Sequence, residues 1–321
     1  MKKILILLLV LSVQFTFAQS PVKVVDTTTK KSFPKWKNKN IATLDVSEVA
    51  FVNWNSGGSN SISALLGFVS EANYKFKHFF WNNNINIRYG INKQQSQELR
   101  KTEDLIEVNS NIGYRKDSLT NWFFTSKFNF KTQFTNGYTY PNTTNAISKF
   151  MAPGYLFYGV GIEYGKNIEK LSVYFSPATT KSTFVLDQEL ANSGAFGVTP
   201  AVLDDEDNVI KKGERVRNEF GILITNAYET EIAKNIYMKH LVSLYTDYLN
   251  DFGNIDADWQ VNLDFKVNNY IRANLGSHLK YDNDVKNLMA INEETEEEEY
   301  VEEGAKVQWK QILGIGVVVD F

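Results

Sequence analysis

Between Asp258 and Asn268 the chain alternates without a break. Trp259, Val261, Leu263, Phe265 and Val267 are apolar, while Asp258, Gln260, Asn262, Asp264, Lys266 and Asn268 are polar. A period of two places all the apolar side chains on one side of a β-strand, and no helical period accommodates such a run. The following segment repeats it, with Ile271, Ala273, Leu275, Leu279 and Tyr281 opposite Arg272, Asn274, Gly276, His278 and Lys280. A tight turn at Asn268 and Asn269 separates the two, so the pair reads as a hairpin. Upstream, Trp122, Phe124, Phe128, Phe130 and Phe134 alternate with Thr125, Lys127, Asn129, Lys131 and Gln133. Trp81, Ile85, Ile87 and Tyr89 do the same against Asn82, Asn84, Asn86 and Arg88. Four phenylalanines turned one way need lipid or a large core to cover them.

The same test applied along the chain predicts about twelve strands, the usual kind of even number for a membrane barrel. They begin near Ile41, Ser61, Phe80, Leu105, Asn121, Tyr155, Leu171, Arg217, Asn235, Ala257, Ile271 and Lys306. Short turns are expected near Lys77 and His78, Asp117 and Ser118, Asn167 and Ile168, Glu231 and Ile232, and Asn268 and Asn269. Longer stretches fall between them, around residues 56–58, 93–103, 135–154, 187–214, 249–256 and 282–305. Strict alternation of short and long connections is the habit of membrane barrels, with short periplasmic turns and longer outer loops. The expected fold is therefore all-β, a transmembrane antiparallel up-and-down barrel at residues 41–321.

The start of the chain fits that destination. Lys2 and Lys3 precede an apolar run of 14 residues, 4–17, and then Ala18 and Gln19. The run is shorter than the roughly 20 residues that a spanning helix needs, so residues 1–18 read as a cleaved signal peptide. Cysteine is absent, which removes disulfides, thiol catalysis, cysteine-ligated zinc and a lipid-attachment site. No cofactor is indicated.

Loss of Lys2 and Lys3 with the signal moves the formal charge from −3 to −5, with 32 basic against 37 acidic residues. Residues 20–40 carry six lysines against Asp26, whereas residues 292–303 hold eight glutamates. Residues 19–40 read as a lysine-rich periplasmic leader, a contact for peptidoglycan or another periplasmic partner. The glutamate-rich loop falls on the outer side. No basic patch marks a nucleic-acid site.

Charges on the polar faces point into the lumen. The candidates are Arg88, Lys127, Lys131, Asp264, Lys266, Arg272, His278 and Lys280, joined by Glu71, Lys75, Asp258 and Lys310. Charges in a narrow lumen are either hydrated or paired, because an isolated buried charge costs several kcal/mol. Both a polar, basic-leaning pore and a salt-bridged plug of side chains satisfy that rule.

Enzymatic chemistry finds little support. Ser277 and His278 are chain neighbours on a strand and face opposite ways, so they cannot act as nucleophile and base. His78 falls in a turn and His240 on a strand apolar on both faces. The acidic runs 204–208 and 282–284 lack the regular ligand spacing and glycine of a helix-loop-helix calcium site. Neither an enzyme nor a metal protein is expected.

The last strand carries Val307, Trp309, Leu313, Ile315, Val317, Val319 and Phe321 on its lipid face, with Lys306, Gln308, Lys310, Gly314, Gly316 and Asp320 inward. Its aromatic terminus resembles the signal by which outer-membrane barrels are recognised by their assembly machinery, making Phe321 the assembly-signal candidate.

Several motifs resemble an uncharacterised family of Gram-negative outer-membrane barrel proteins of unknown function. They are Trp54-Asn55-Ser56-Gly57-Gly58, Met151-Ala152-Pro153, Ser176-Pro177 with Lys181 and Asp187, Ala195-Phe196-Gly197-Val198, and Tyr281-Asp282-Asn283-Asp284. The likeness spans most of residues 41–321. It implies an outer-membrane location and no particular activity. The functional expectation is a passive small-solute channel in contact with outer-membrane lipid. A closed structural or surface-binding barrel, working through its long loops and leader, is the alternative, with a barrel lipid hydrolase behind both.

Overall fold

The computed structural model describes residues 36–50, 59–117, 119–165, 170–250, 252–287, 290–291, 298–299 and 303–321. The signal segment, most of the lysine-rich leader, the Trp54 to Gly58 motif, the turn at Asn167 and most of the glutamate-rich stretch lie outside the described residues. Among those described, twelve strands form one closed barrel. They are β1 Trp36–Val49, β2 Ser61–Phe76, β3 Phe79–Gln94, β4 Arg100–Tyr114, β5 Trp122–Thr132 and β6 Gly154–Tyr164. The rest are β7 Leu171–Phe184, β8 Val216–Ala233, β9 Ile236–Asp247, β10 Asp256–Lys266, β11 Ile271–Tyr281 and β12 Gln308–Asp320. Each pairs antiparallel with the next, and β12 returns to β1. No described helix is long and apolar enough to cross a membrane.

Pairing runs on for ten residue pairs between β11 and β12, but the closing seam holds only five, Ile41 to Asp45 against Asp320 to Gly316. Phe321 extends the seam, its amide donating to the Asn40 carbonyl at 3.0 Å and its own carbonyl accepting from the Asn40 amide at 3.2 Å.

The two faces of the wall differ as the dyad pattern requires. Asp45, Thr125, Glu163, Lys181 and Glu219 are buried on the inner face, whereas Leu66, Phe124, Leu313 and Ile315 are exposed on the outer one. A monomer with this much apolar exterior needs a non-aqueous surround, and each strand of 11 residues or more has the length for a tilted crossing. Aromatics gather at the rims. Trp36 packs on Tyr74 and Trp81 with centroids 5.3 and 5.4 Å away, and Trp122 lies 5.2 Å from Tyr164. Such girdles suit the membrane interface.

Polar groups on the outer face satisfy one another, as a lipid surround demands. His240 Nε2 lies 2.7 Å from Asn226 Oδ1 while its Nδ1 accepts from Trp259 Nε1 at 3.3 Å. Trp81 Nε1 donates to Ser110 Oγ, which donates on to Asn83 Oδ1.

Several expected boundaries need correction. β1 begins at Trp36, so five residues assigned to the leader belong to the wall, paired with β2 from Tyr74 to Ser70. The stretch expected as a long loop at 93–103 is mostly strand, leaving only residues 95–99 as connection. The hairpin continues because its backbone groups keep finding partners, with Ile91 opposite Lys101 across a bulge. That connection is shorter than the 115–121 turn at the other end, so strict alternation of lengths does not hold. The turn expected at Glu231 and Ile232 comes later, at Lys234 and Asn235, after a bulge at Glu231 and Ala233. Asn235 takes the left-handed conformation at φ 64°, which its side chain tolerates.

A bulge also breaks β7 around Pro177, with register shifts against both β6 and β8. Proline has no amide to give a ladder, so a bulge is where it can sit inside a sheet. Its carbonyl is used, accepting from Tyr248 Oη at 2.8 Å.

At the long-loop end the connection after β7 folds into a small body. Asp187 caps helix α1, Gln188–Asn192, by accepting from the amides of Glu189 and Leu190. Val185, Ala191 and Val198 pack there on Ala152 from the loop after β5.

Candidate functional site

The inner face is organised around ion pairs. Lys181 projects from β7 near the long-loop rim and is 3% exposed. Its Nζ meets Asp256 at 2.7 Å, Glu219 at 3.4 Å and Asp282 at 3.7 Å, drawing together β7, β8, β10 and the end of β11. A buried ammonium is tolerated only when surrounded in this way. Arg217 extends the group, 2.8 Å from Asp284 and 3.7 Å from Glu219, and donates to the Gly197 carbonyl at 3.0 Å.

This junction collects residues from motifs far apart in sequence: Lys181, Gly197, Asp282 and Asp284. The Lys149 ammonium, 2.6 Å from Asp187, ties the loop after β5 to the helix cap. That contact holds the Asp187 carboxyl below the usual carboxylate range and lifts Lys149 above the usual lysine range.

A second set of pairs lines the inner face, and two of them, Lys131 with Asp258 and Lys310 with Glu103, cross the lumen. Lys131 on β5 approaches Glu107 on β4 at 3.5 Å and Asp258 on β10 at 3.9 Å. Asp258 also lies 3.0 Å from His278 Nε2 and accepts from Gln260. Lys310 on β12 reaches Glu103 on β4 at 2.9 Å. Nearer the short-turn end, Lys127 meets Glu163 at 2.8 Å and Ser172 donates to the same carboxylate. Arg272 lies 3.4 Å from Asp264 and 3.8 Å from Asp45.

Among the candidates read from the sequence, Lys127, Lys131, Asp264, Arg272 and His278 thus occupy the inner face in pairs. Lys266 shares that face, opposite Arg272 in register, at the exposed short-turn rim. Arg88 and Lys280 border a cavity of about 290 Å³ in the long-loop half of the lumen. Its walls include Lys131, Lys181, Asp256, Asp258 and His278, with Tyr155, Phe157 and Tyr245 forming an apolar stretch. Phe321 closes the seam as described.

In the sequence Lys181 and Asp282 stand only in separate motifs, and nothing there brings them together. Partners 75 positions apart, as Lys181 and Asp256 are, leave no local signal. One trace does exist, since the β7 alternation sets Lys181 on the same face as Thr179 and Thr183.

Aromatics inside the barrel were also not anticipated. Phe80 and Phe123 pack edge to face at 5.2 Å in the lumen, and Tyr174 is fully buried. Small residues make the room. A Cβ on Gly113 would stand 2.1 Å from the Phe80 ring, and one on Gly159 would be 2.5 Å from Thr179 Oγ1.

Among the described residues, Glu219, Asp256 and Asp284 bring carboxylate oxygens within 4.8 Å of one another. Lys181 and Arg217 already contact all three, an ion-pair network rather than a cage for a cation. Ser277 and His278 face opposite ways: Ser277 accepts from Trp309 on the outer wall while His278 serves Asp258 inside.

Residues 46–138 match a family described as protein of unknown function, DUF3078. No curated protein matches the chain significantly. Among solved structures, the COG4313 outer membrane channel from Pseudomonas putida F1 is similar at a TM-score of 0.41 and 10% identity, over 93% of this chain and 100% of the other. The NanC porin is similar at 0.35 and 9% identity, over 87% and 98%. The translocator domain of autotransporter NalP from Neisseria meningitidis is similar at 0.32 and 9%, over 90% and 89%.

Proposed function

We propose that the protein is an outer-membrane barrel that passes small solutes selectively through a narrow, charged lumen. The observation that carries this reading is the cavity of about 290 Å³ at the long-loop end, lined by fixed charges of both signs. A barrel of eight strands fills its interior with side chains, whereas one of sixteen or more leaves an aqueous channel. Twelve strands fall between, and here the space left by the wall is divided by ion pairs such as Lys131 with Asp258 and Lys310 with Glu103. Such pairs restrict what passes and leave polar groups for solutes to exchange with. The apolar exterior, the aromatic rims and the signal-like start of the chain favour the outer membrane as its place.

The same cross-lumen pairs favour a second reading, a closed barrel that acts through its outer loops. Planar-bilayer recording separates the two. Purified, folded protein is expected to give small, discrete conductance steps. Reproducible silence from folded protein overturns the channel and leaves the closed barrel.

A further inference from the structure

The charges around the cavity do not cancel group by group. Its carboxylates Glu103, Asp104, Glu107, Asp256, Asp258 and Asp282 each lie within 4 Å of a cationic or histidine side chain. Arg88 and Lys280, which line the same space, have no carboxylate partner among the described residues. Arg88 Nε is enclosed and makes no hydrogen bond, while its guanidinium borders a crevice shared with Gln260, His278 and Lys310. Lys280 sits 4.8 Å above the Tyr155 ring, with Asp282 and Asp258 as well as Lys181 and Lys131 in its electrostatic surroundings. A cation entering here meets acids that each already have a basic side chain within 4 Å, although Lys181 is shared by Asp256 and Asp282 and Lys131 by Glu107 and Asp258. An anion meets Arg88 and Lys280, two cations with no carboxylate that close among the described residues.

The remaining wall narrows the chemistry. Phe157 and Tyr245 pack edge to face at 5.8 Å, and Tyr155 and Leu223 continue the apolar stretch they make. The cavity volume is at the lower end of what small-molecule pockets offer. We propose that this cavity binds a small carboxylate with an apolar body, its charged end held by Arg88 and Lys280 and its body against the Tyr155, Phe157 and Tyr245 surface. The proposal rests on the solute-passing reading above and names the solute class. A fully polar oxyanion such as phosphate satisfies the cations and leaves that surface uncovered, so it binds less well. Charge-assisted hydrogen bonds to the carboxylate supply the specificity.

The test is isothermal titration of the folded, full-length protein in detergent with benzoate, inorganic phosphate and benzylammonium. Benzoate is expected to bind, phosphate at least about tenfold more weakly, and benzylammonium not measurably. Arg88→Gln and Lys280→Met are each expected to weaken benzoate about tenfold or more, and Arg88→Lys to recover part of the loss. Benzylammonium binding as tightly as benzoate, phosphate binding tighter than benzoate, or unchanged affinity in both variants overturns the proposal. Should Arg88→Gln fail to fold, Lys280→Met decides alone. A folded barrel that binds benzoate but never conducts retires the channel and keeps the site. One that conducts without binding benzoate retires the site and keeps the channel.

Discussion

Lys131 on β5 and Asp258 on β10 stand 3.9 Å apart across the lumen, on strands separated by four others in a ring of twelve. A contact at that span sets the bore at its level. Asp258→Ala removes one end of the bridge and frees the space beside His278 and Gln260. Single-channel conductance is expected to rise by roughly twofold, as constrictions made of charged side chains govern flow. Unaltered conductance in folded variant shows that the constriction lies elsewhere.

The Lys127 and Glu163 pair is more deeply placed, with Glu163 only 3% exposed. Lys127→Met leaves that carboxylate without its cation and is expected to destabilise the barrel by about 3 kcal/mol, the lower part of the range for breaking a buried pair. Adding Glu163→Gln should restore most of the loss. Equilibrium unfolding in guanidinium, from detergent micelles, measures both.

Gly113 faces the Phe80 ring so closely that any side chain must displace it. Gly113→Ala is expected to cost about 1–3 kcal/mol, the usual penalty for overpacking. Pairing it with Phe80→Ala relieves the clash, so the double variant should unfold later than the sum of the single effects implies. Strict additivity excludes the contact as the cause.

The Asp187 cap carries a pH dependence. Lys149 holds this carboxyl below its ordinary value, so the stabilisation is present above the unfolded value, near 4, and is lost as pH falls through the lower folded one. Lys149 is shifted upward, so its share is present below the usual lysine value and is lost as pH rises through the higher folded one. Hydrogen exchange at the Glu189 and Leu190 amides should therefore be slow at neutral pH and quicken only in strong acid or strong alkali. Asp187→Ala should abolish the protection at all pH values, with about 1 kcal/mol lost from the capped turn.

Phe321 offers a prediction about assembly. Deleting it removes an aromatic terminus and two hydrogen bonds to Asn40. With Phe321 proposed as the assembly signal, its loss is expected to lower the amount of barrel in the membrane severalfold in cells while the protein still refolds in detergent. Equal failure in both settings assigns Phe321 to closure of the seam alone.

The wall was legible because alternation is a local property. The run from Trp259 to Val267 announces a strand and its two faces regardless of what pairs with it. The inward positions of Arg88, Lys131 and Arg272 follow from the same periodicity. Partnership does not. Lys181 looks like any other inward lysine until β8, β10 and the Asp282 turn are brought around it. Loop lengths were misread for a related reason: whether residues 100–103 join a strand depends on the hydrogen bonds of β3 beside them, and their polar composition hides that.

The five residue pairs that join β12 to β1 make the closing seam half as long as the neighbouring junction. Mechanically the barrel is a rolled strip fastened by a short clasp. Force or denaturant should part it along that line first, and the strip would then open flat before any hairpin is undone.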